Sequence, residues 1–235
     1  GLSIALQLFQ KGHSLIIVDR KEPDYCSVPN GFKNSVQYVK VDLFSKNDIR
    51  KLKKYVDIVD SLIITAGFGR VAKCENLTEV EVNKLIQVNM VAPIRIIKMF
   101  YNRIKSNEDF YTAIIGSIAG HITSPLFSVY GASKAGLCSF IRNINVELVA
   151  DGCNNRVLDV SPGSFRGSSF NGEKSDISLL SDLALNIIHK MSKREMLYIP
   201  QFEETYKNII QKDWINPIEF GLESYKYKIK NNRLT

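Results

Sequence analysis

The stretch Ser117-Ile118-Ala119-Gly120-His121-Ile122-Thr123-Ser124-Pro125-Leu126-Phe127-Ser128-Val129-Tyr130-Gly131-Ala132-Ser133-Lys134 decides the reading of this chain. A short apolar run, Ala113-Ile114-Ile115, leads into it through Gly116 and reads as a buried strand that ends in the Ser117 hydroxyl. Pro125 breaks the loop that follows, and a helix opens around Tyr130. Tyr130 and Lys134 stand four apart, so one helical turn brings both to the same face. A phenol titrates near pH ~10 and is a poor acid–base group at neutral pH. An ammonium beside it favours the phenolate and lowers that value. A serine hydroxyl that holds a carbonyl or alcohol oxygen next to the phenol completes the set. The three groups suit proton transfer to an oxygen whose carbon gains or loses hydride.

The spacing Tyr-x-x-x-Lys says little by itself, since Tyr101 and Lys105 repeat it within what reads as an ordinary amphipathic helix. The context of Tyr130 is different. A strand-end serine precedes it, and the small residues Gly131, Ala132, Ala135 and Gly136 surround the pair. On these residues the chain resembles the short-chain dehydrogenase/reductase family, over about residues 1–200. The resemblance implies a single doubly wound, Rossmann-like α/β domain with a mostly parallel sheet, in which 1–235 form one NAD(P)-binding unit and about 200–235 a variable extension. It implies hydride transfer between NAD(P) and a carbonyl or secondary alcohol. Tyr130 would be the acid–base, Ser117 the holder of the substrate oxygen, and Lys134 the group that sets the phenol's pKa and binds the ribose. Asn89 would complete a tetrad by supporting a water relay. Homodimers or homotetramers, built on the long helices, are expected on the same ground. Two other classes stay open: a non-catalytic cofactor-sensing or scaffold relative, and an epimerase or dehydratase that shares Tyr-x-x-x-Lys.

Composition bounds these alternatives. With 235 residues, 45% of them hydrophobic, the chain suits one sizeable core. No apolar run approaches the ~18 residues of a membrane span, and no basic-then-apolar leader opens the chain. Cys26, Cys74, Cys138 and Cys153 are scattered without metal-like spacing, as are the three histidines. Reduced thiols, a cytoplasmic setting and no metal are expected. The net charge of +7 reads as a solvated basic surface rather than a nucleic-acid or lipid footprint, with phosphate-bearing cofactors as a further use.

Taken in order, Gly1 to Gly12 reads as an amphipathic helix with Gly12 as its stop, and Ser14 to Val18 as a buried strand that ends in Asp19-Arg20. This is the second half of a dinucleotide-binding βαβ unit. In the family a Thr-Gly-x-x-x-Gly-x-Gly turn precedes that helix, and Gly1 matches its last glycine. The first strand is therefore expected to be missing from this chain, an amino-terminal truncation. Asp19 sits where a carboxylate accepts hydrogen bonds from the adenosine ribose, which favours NAD. Arg20 offers NADP's phosphate a partner instead; the carboxylate tips the expectation to NAD. Val36 to Val41 reads as a strand ending at Asp42, which either sits against the adenine or caps a helix over Lys46 to Tyr55. Ser61 to Ile64 is a further strand, followed by Thr65-Ala66-Gly67. There the family carries Asn-Asn-Ala-Gly, and Ala66 and Gly67 keep the small residues that let backbone approach the cofactor.

Residues 79–105 carry a long helical pattern. Asn89 falls on its apolar stripe, where a polar amide needs partners. Pro93, four residues on, deprives the Asn89 carbonyl of its helical donor, so the spacing predicts a kink with a free inward carbonyl. The helix through Lys134 is expected to run to about Ala150. Val157 to Val160 reads as a strand that ends in Ser161-Pro162-Gly163; Pro162 and Gly163 match the pair that lies beside the nicotinamide in the family. Gly167 replaces the usual threonine beyond. Residues 164–178, with Phe165 and Phe170, have the length of a lid. Ile177 to Met191 reads as a helix and Met196 to Ile199 as a strand. Phe202, Tyr206, Ile209 and Ile210 mark another helix, and Tyr225-Lys226-Tyr227-Lys228-Ile229-Lys230 reads as a solvated basic end. His121, Ile122, Pro125, Leu126 and Phe127 are expected to line an apolar substrate pocket.

Overall fold

The computed structural model describes residues 1–26, 28–168 and 176–230. Helices and strands alternate along it: α1 (Leu2–Gln10), β1 (Leu15–Asp19), α2 (Phe32–Ser35), β2 (Val36–Lys40), α3 (Lys46–Arg50), β3 (Ser61–Ile64), α4 (Glu79–Ile86), α5 (Ala92–Ile104), β4 (Tyr111–Ile115), α6 (Ser128–Ala150), β5 (Val157–Val160), α7 (Ser181–Ser192), β6 (Leu197–Tyr198), α8 (Lys207–Ile215) and α9 (Pro217–Lys230). All the strand pairs are parallel, because each strand returns through a helix.

Period-two alternation gives each strand two apolar faces. In β4, Ile114 joins one core with Ile97 and Phe100 of α5 and Leu137 and Ile141 of α6. The neighbouring Ala113 faces the other way and joins Leu158, Ile4 of α1, and Ile187 and Ile188 of α7. Helices therefore cover both faces, as a doubly wound α/β fold requires.

The sheet falls into two pieces, β1–β2 and β3–β4–β5–β6. Among the described residues no ladder joins β1 to β3. This gap falls where the family resemblance puts a further strand. Gly1, at the start of α1, meets the residue after β3: a Cβ on it would lie 2.7 Å from Thr65 Oγ1.

The pattern over 79–105 is helical without a break to Ile104, with a distortion just before Pro93 as the spacing predicts. A π-helical turn, Gln87–Val91, joins α4 to α5. Pro93 cannot donate to the ordinary ladder, and a wider turn just before it absorbs the mismatch. Thr78 and Glu81 start α4 with a reciprocal capping box. The helix expected over Lys46 to Tyr55 is α3 followed by a 3₁₀ turn, and its cap is Ser45, whose hydroxyl accepts from the Asp48 amide at 3.2 Å. Asp42 does not cap it; its carboxylate accepts from the Phe44 amide at 2.9 Å and shapes the turn.

The carboxy-terminal end departs most from expectation. Tyr225 to Lys230 form the last part of α9, in which Lys226, Tyr227, Ile229 and Lys230 are exposed as expected and Lys228 is not. Lys228 is buried and donates to Ser124 Oγ (3.0 Å) and the Pro125 carbonyl (2.8 Å). From α8, the buried Asp213 carboxylate accepts from the Thr123 amide at 3.0 Å. Both helices thus clamp the loop between Ser117 and Tyr130.

Gly167 has φ +81°, a left-handed conformation in which a side chain is strained. Its carbonyl accepts from the Asp176 amide at 2.9 Å, which clips the ends of that loop together. The lid expected over 164–178 lies in part, with Phe170, outside the described residues. None of the four cysteines is joined in a disulfide. Among the described residues no helix is long and apolar enough to cross a membrane.

Candidate active site

In a parallel sheet the carboxyl ends of all strands open on one edge, and ligands bind there. The expected site residues fall on that edge. Asp19 ends β1, Asp42 follows β2, Ala66-Gly67 follow β3, Ser117 follows β4, and Pro162-Gly163 follow β5.

Ser117 starts a 3₁₀ turn, Ile118–Gly120, and its hydroxyl accepts from the Ala119 amide at 3.2 Å. That turn packs directly on α6: a Cβ on Gly120 would lie 2.9 Å from the backbone carbon of Lys134. Only glycine permits this approach, and it fixes the serine against the helix that bears Tyr130 and Lys134.

Tyr130 is 7% exposed, and its ring packs on Phe127 at 5.4 Å between centroids. Burial raises the phenol's pKa above 10; a side-chain hydrogen bond with Ser117 opposes the rise, and the Cys138 thiol adds to it. Lys134 is 3% exposed, and burial lowers its pKa to about 8. Its Nζ donates to the Ile115 carbonyl at 2.8 Å and lies 6.0 Å from the centre of the Tyr130 ring. The ammonium is turned to a backbone carbonyl, and desolvation dominates both groups.

Asn89 is fully buried in the π-helical turn. Its Oδ1 accepts from the Phe68 amide (3.0 Å), and its Nδ2 donates to the Phe68 carbonyl (2.9 Å) and to Ser133 Oγ (3.2 Å). Ser133 in turn donates to the Tyr130 carbonyl at 2.7 Å. The amide so ties the segment after β3 to the turn of α6 that carries the tyrosine. Gly67 lies between these groups: a Cβ there would come 3.2 Å from Asn89 Oδ1 and 3.3 Å from Lys134 Nζ.

Asp19 and Arg20 are exposed at the end of β1, and Asp19 Oδ1 accepts from the Lys21 amide at 3.2 Å. Across the edge, the Pro162 carbonyl accepts from the Ile118 amide at 2.9 Å. The Tyr206 hydroxyl occupies the space that a Cβ on Gly163 would need. Tyr206, Asp213 and Lys228 were not singled out as site residues by the sequence. Their signal, an aromatic on an apolar stripe and charges in helices far along the chain, is shared by many surface helices.

A family model described as short chain dehydrogenase matches residues 1–177. The chain is similar to an uncharacterized oxidoreductase of Saccharomyces cerevisiae, 27% identical over 214 residues that cover 83% of this chain and 68% of the other. It is also similar to carbonyl reductase family member 4 of Xenopus laevis, 26% identical over 181 residues that cover 75% of each chain. Among solved structures, a short-chain dehydrogenase from Sphingobium yanoikuyae in complex with NADPH superposes with a TM-score of 0.74 at 21% identity, covering 95% of this chain and 91% of that one.

Proposed function

The chain belongs to the short-chain dehydrogenase family, and from that premise we propose that it is an NAD(P)-dependent oxidoreductase that reduces a carbonyl to a secondary alcohol. One observation carries the reading: a buried Tyr130 phenol and a buried Lys134 ammonium one helical turn apart on α6, against which the turn that Ser117 opens is packed. Burial keeps the phenol protonated at neutral pH, and a protonated phenol is the acid that reduction needs.

The donor set along the strand ends fits a dinucleotide. Asp19 offers a carboxylate to ribose hydroxyls, Ala66-Gly67 give close backbone approach, and Lys134 offers an ammonium at the centre. When bound, the nicotinamide supplies the hydride. Ser117 holds the substrate oxygen, and Tyr130 gives its phenolic proton to that oxygen. Lys134, with a pKa of about 8, is mostly protonated at pH 7 and stabilises the phenolate left behind. Asn89 keeps the segment after β3 and the Tyr130 turn in register. The assay is turnover of a panel of aldehydes and ketones, followed by nicotinamide absorbance. No consumption of either cofactor with any carbonyl would sink the reading in favour of a non-catalytic relative.

NAD(H) is expected to bind more tightly than NADP(H), because the Asp19 carboxylate repels a 2′-phosphate, and Asp19→Ala should narrow the gap. Calorimetric titration with both cofactors checks this; tighter NADP(H) binding by the wild type would mean that Arg20 dominates.

The clamp on the loop 121–127 should act on substrate binding. Lys228→Ala removes two buried donor contacts, and KM for the carbonyl is expected to rise about tenfold, equivalent to about 1.4 kcal/mol, with little change in kcat. An unchanged KM would show that α9 plays no part in shaping the substrate side.

A further inference from the structure

We propose that the chain also holds a binding site for a zinc-class divalent cation, formed by His121 Nε2, Cys138 Sγ and the Asp159 carboxylate. The three come from three elements: the segment after the Ser117 turn, the middle of α6, and β5. Their ligand atoms all lie within 4.8 Å of one another, and His121 Nε2 is 3.9 Å from Asp159 Oδ2. An imidazole nitrogen, a thiolate sulfur and a carboxylate oxygen are together a donor set for zinc, and three protein donors leave a fourth position open.

The surroundings are those of a built site. Cys138 and Asp159 are 3% and 4% exposed, so neither is a mobile surface group. Ser161 Oγ touches all three: it donates to Asp159 Oδ1 at 2.8 Å and lies 3.0 Å from His121 Nε2 and 3.7 Å from Cys138 Sγ. It orients the carboxylate, as a supporting hydrogen bond does for a metal ligand. Gly116 makes room for the pair, since a Cβ there would clash with the Asp159 carboxylate and lie 2.6 Å from Ser161 Oγ.

The carboxylate itself points to a cation. A charge buried this far is ordinarily paired or bound to metal. Among the described residues, the basic group within 4.0 Å of the Asp159 oxygens is His121 alone. A cavity of about 360 Å³, lined by His121, Cys138, Arg142, Asn145, Asp159 and Met196, gives an ion a way in. Binding exchanges one proton: the Cys138 thiol loses its hydrogen to solvent as its sulfur bonds to the cation, with no change of oxidation state. The site stands independently of the hydride-transfer reading, since none of its three ligands is assigned a step in it.

The test uses the full chain carrying Cys26→Ser and Cys74→Ser, which removes the two exposed thiols, after treatment with a chelator. Titration with Co²⁺ should produce a thiolate-to-cobalt charge-transfer band that saturates at about one equivalent and is displaced by Zn²⁺. Adding Cys138→Ala should abolish the band. His121→Ala, at a partly exposed position, should weaken Zn²⁺ binding at least tenfold in calorimetry. The proposal is overturned by the absence of a band with excess Co²⁺, or by a band that survives Cys138→Ala. If Cys138→Ala does not fold, Zn²⁺ affinity unchanged in His121→Ala overturns it instead.

Discussion

Tyr130→Phe lowers carbonyl turnover by at least ~10²-fold, the scale of a general acid removed from its transition state. The substitution deletes one hydroxyl from a side chain that is 7% exposed, and the ring keeps its packing on Phe127. Folding should therefore survive, and the loss should appear in kcat. What disappears is the proton donor. Circular dichroism and cofactor titration separate chemistry from folding: both are expected to match the wild type. Near-normal kcat in the variant would remove Tyr130 from the mechanism, and with it the main support for a reductase.

Lys134→Met should lose activity on a similar scale and yet melt no lower than the wild type at pH 7. The two effects have one cause. Burial has brought the lysine's pKa to about 8, whereas an unfolded lysine titrates near pH ~10.4. The folded state thus disfavours the charge, and at pH 7 holding it costs on the order of a few kcal/mol. Methionine fills a similar volume without that cost, at the loss of the donor to the Ile115 carbonyl. Between pH about 8 and ~10.4 the unfolded wild type binds more protons than the folded one, so its stability rises with pH in that window. The methionine variant should lack this rise. Activity runs the other way: the wild-type reductase should decline as pH passes about 8, where the ammonium that stabilises the phenolate is lost. Denaturant melts across that range and a pH–rate profile check both. A variant markedly less stable at pH 7 would show that the Ile115 contact outweighs desolvation.

Much of this protein is written locally. The strand–turn–helix around Ser117, Tyr130 and Lys134 is legible because an apolar run, a proline-broken loop and an i, i+4 pair are short-range patterns. The alternation of apolar strands with amphipathic helices fixes the doubly wound class for the same reason. Asn89 stands out because an amide on an apolar stripe demands partners, although only the fold shows them to be the Phe68 backbone and Ser133.

The tertiary structure decided what depends on residues distant in the chain and on burial. Periodicity marks α9 no differently from a solvated basic end, but packing buries Lys228 against Ser124 and Pro125, and Asp213 against Thr123. Tyr206 reaches Gly163 only when the carboxy-terminal helices close over the strand ends. His121, Cys138 and Asp159 have no motif spacing, since a turn, a helix and a strand each bring one ligand. The charge state of the site also lay beyond the sequence. The i, i+4 spacing places an ammonium beside a phenol, but only the fold shows that both groups are also desolvated, because burial is set by the elements packed around them and not by spacing along the helix.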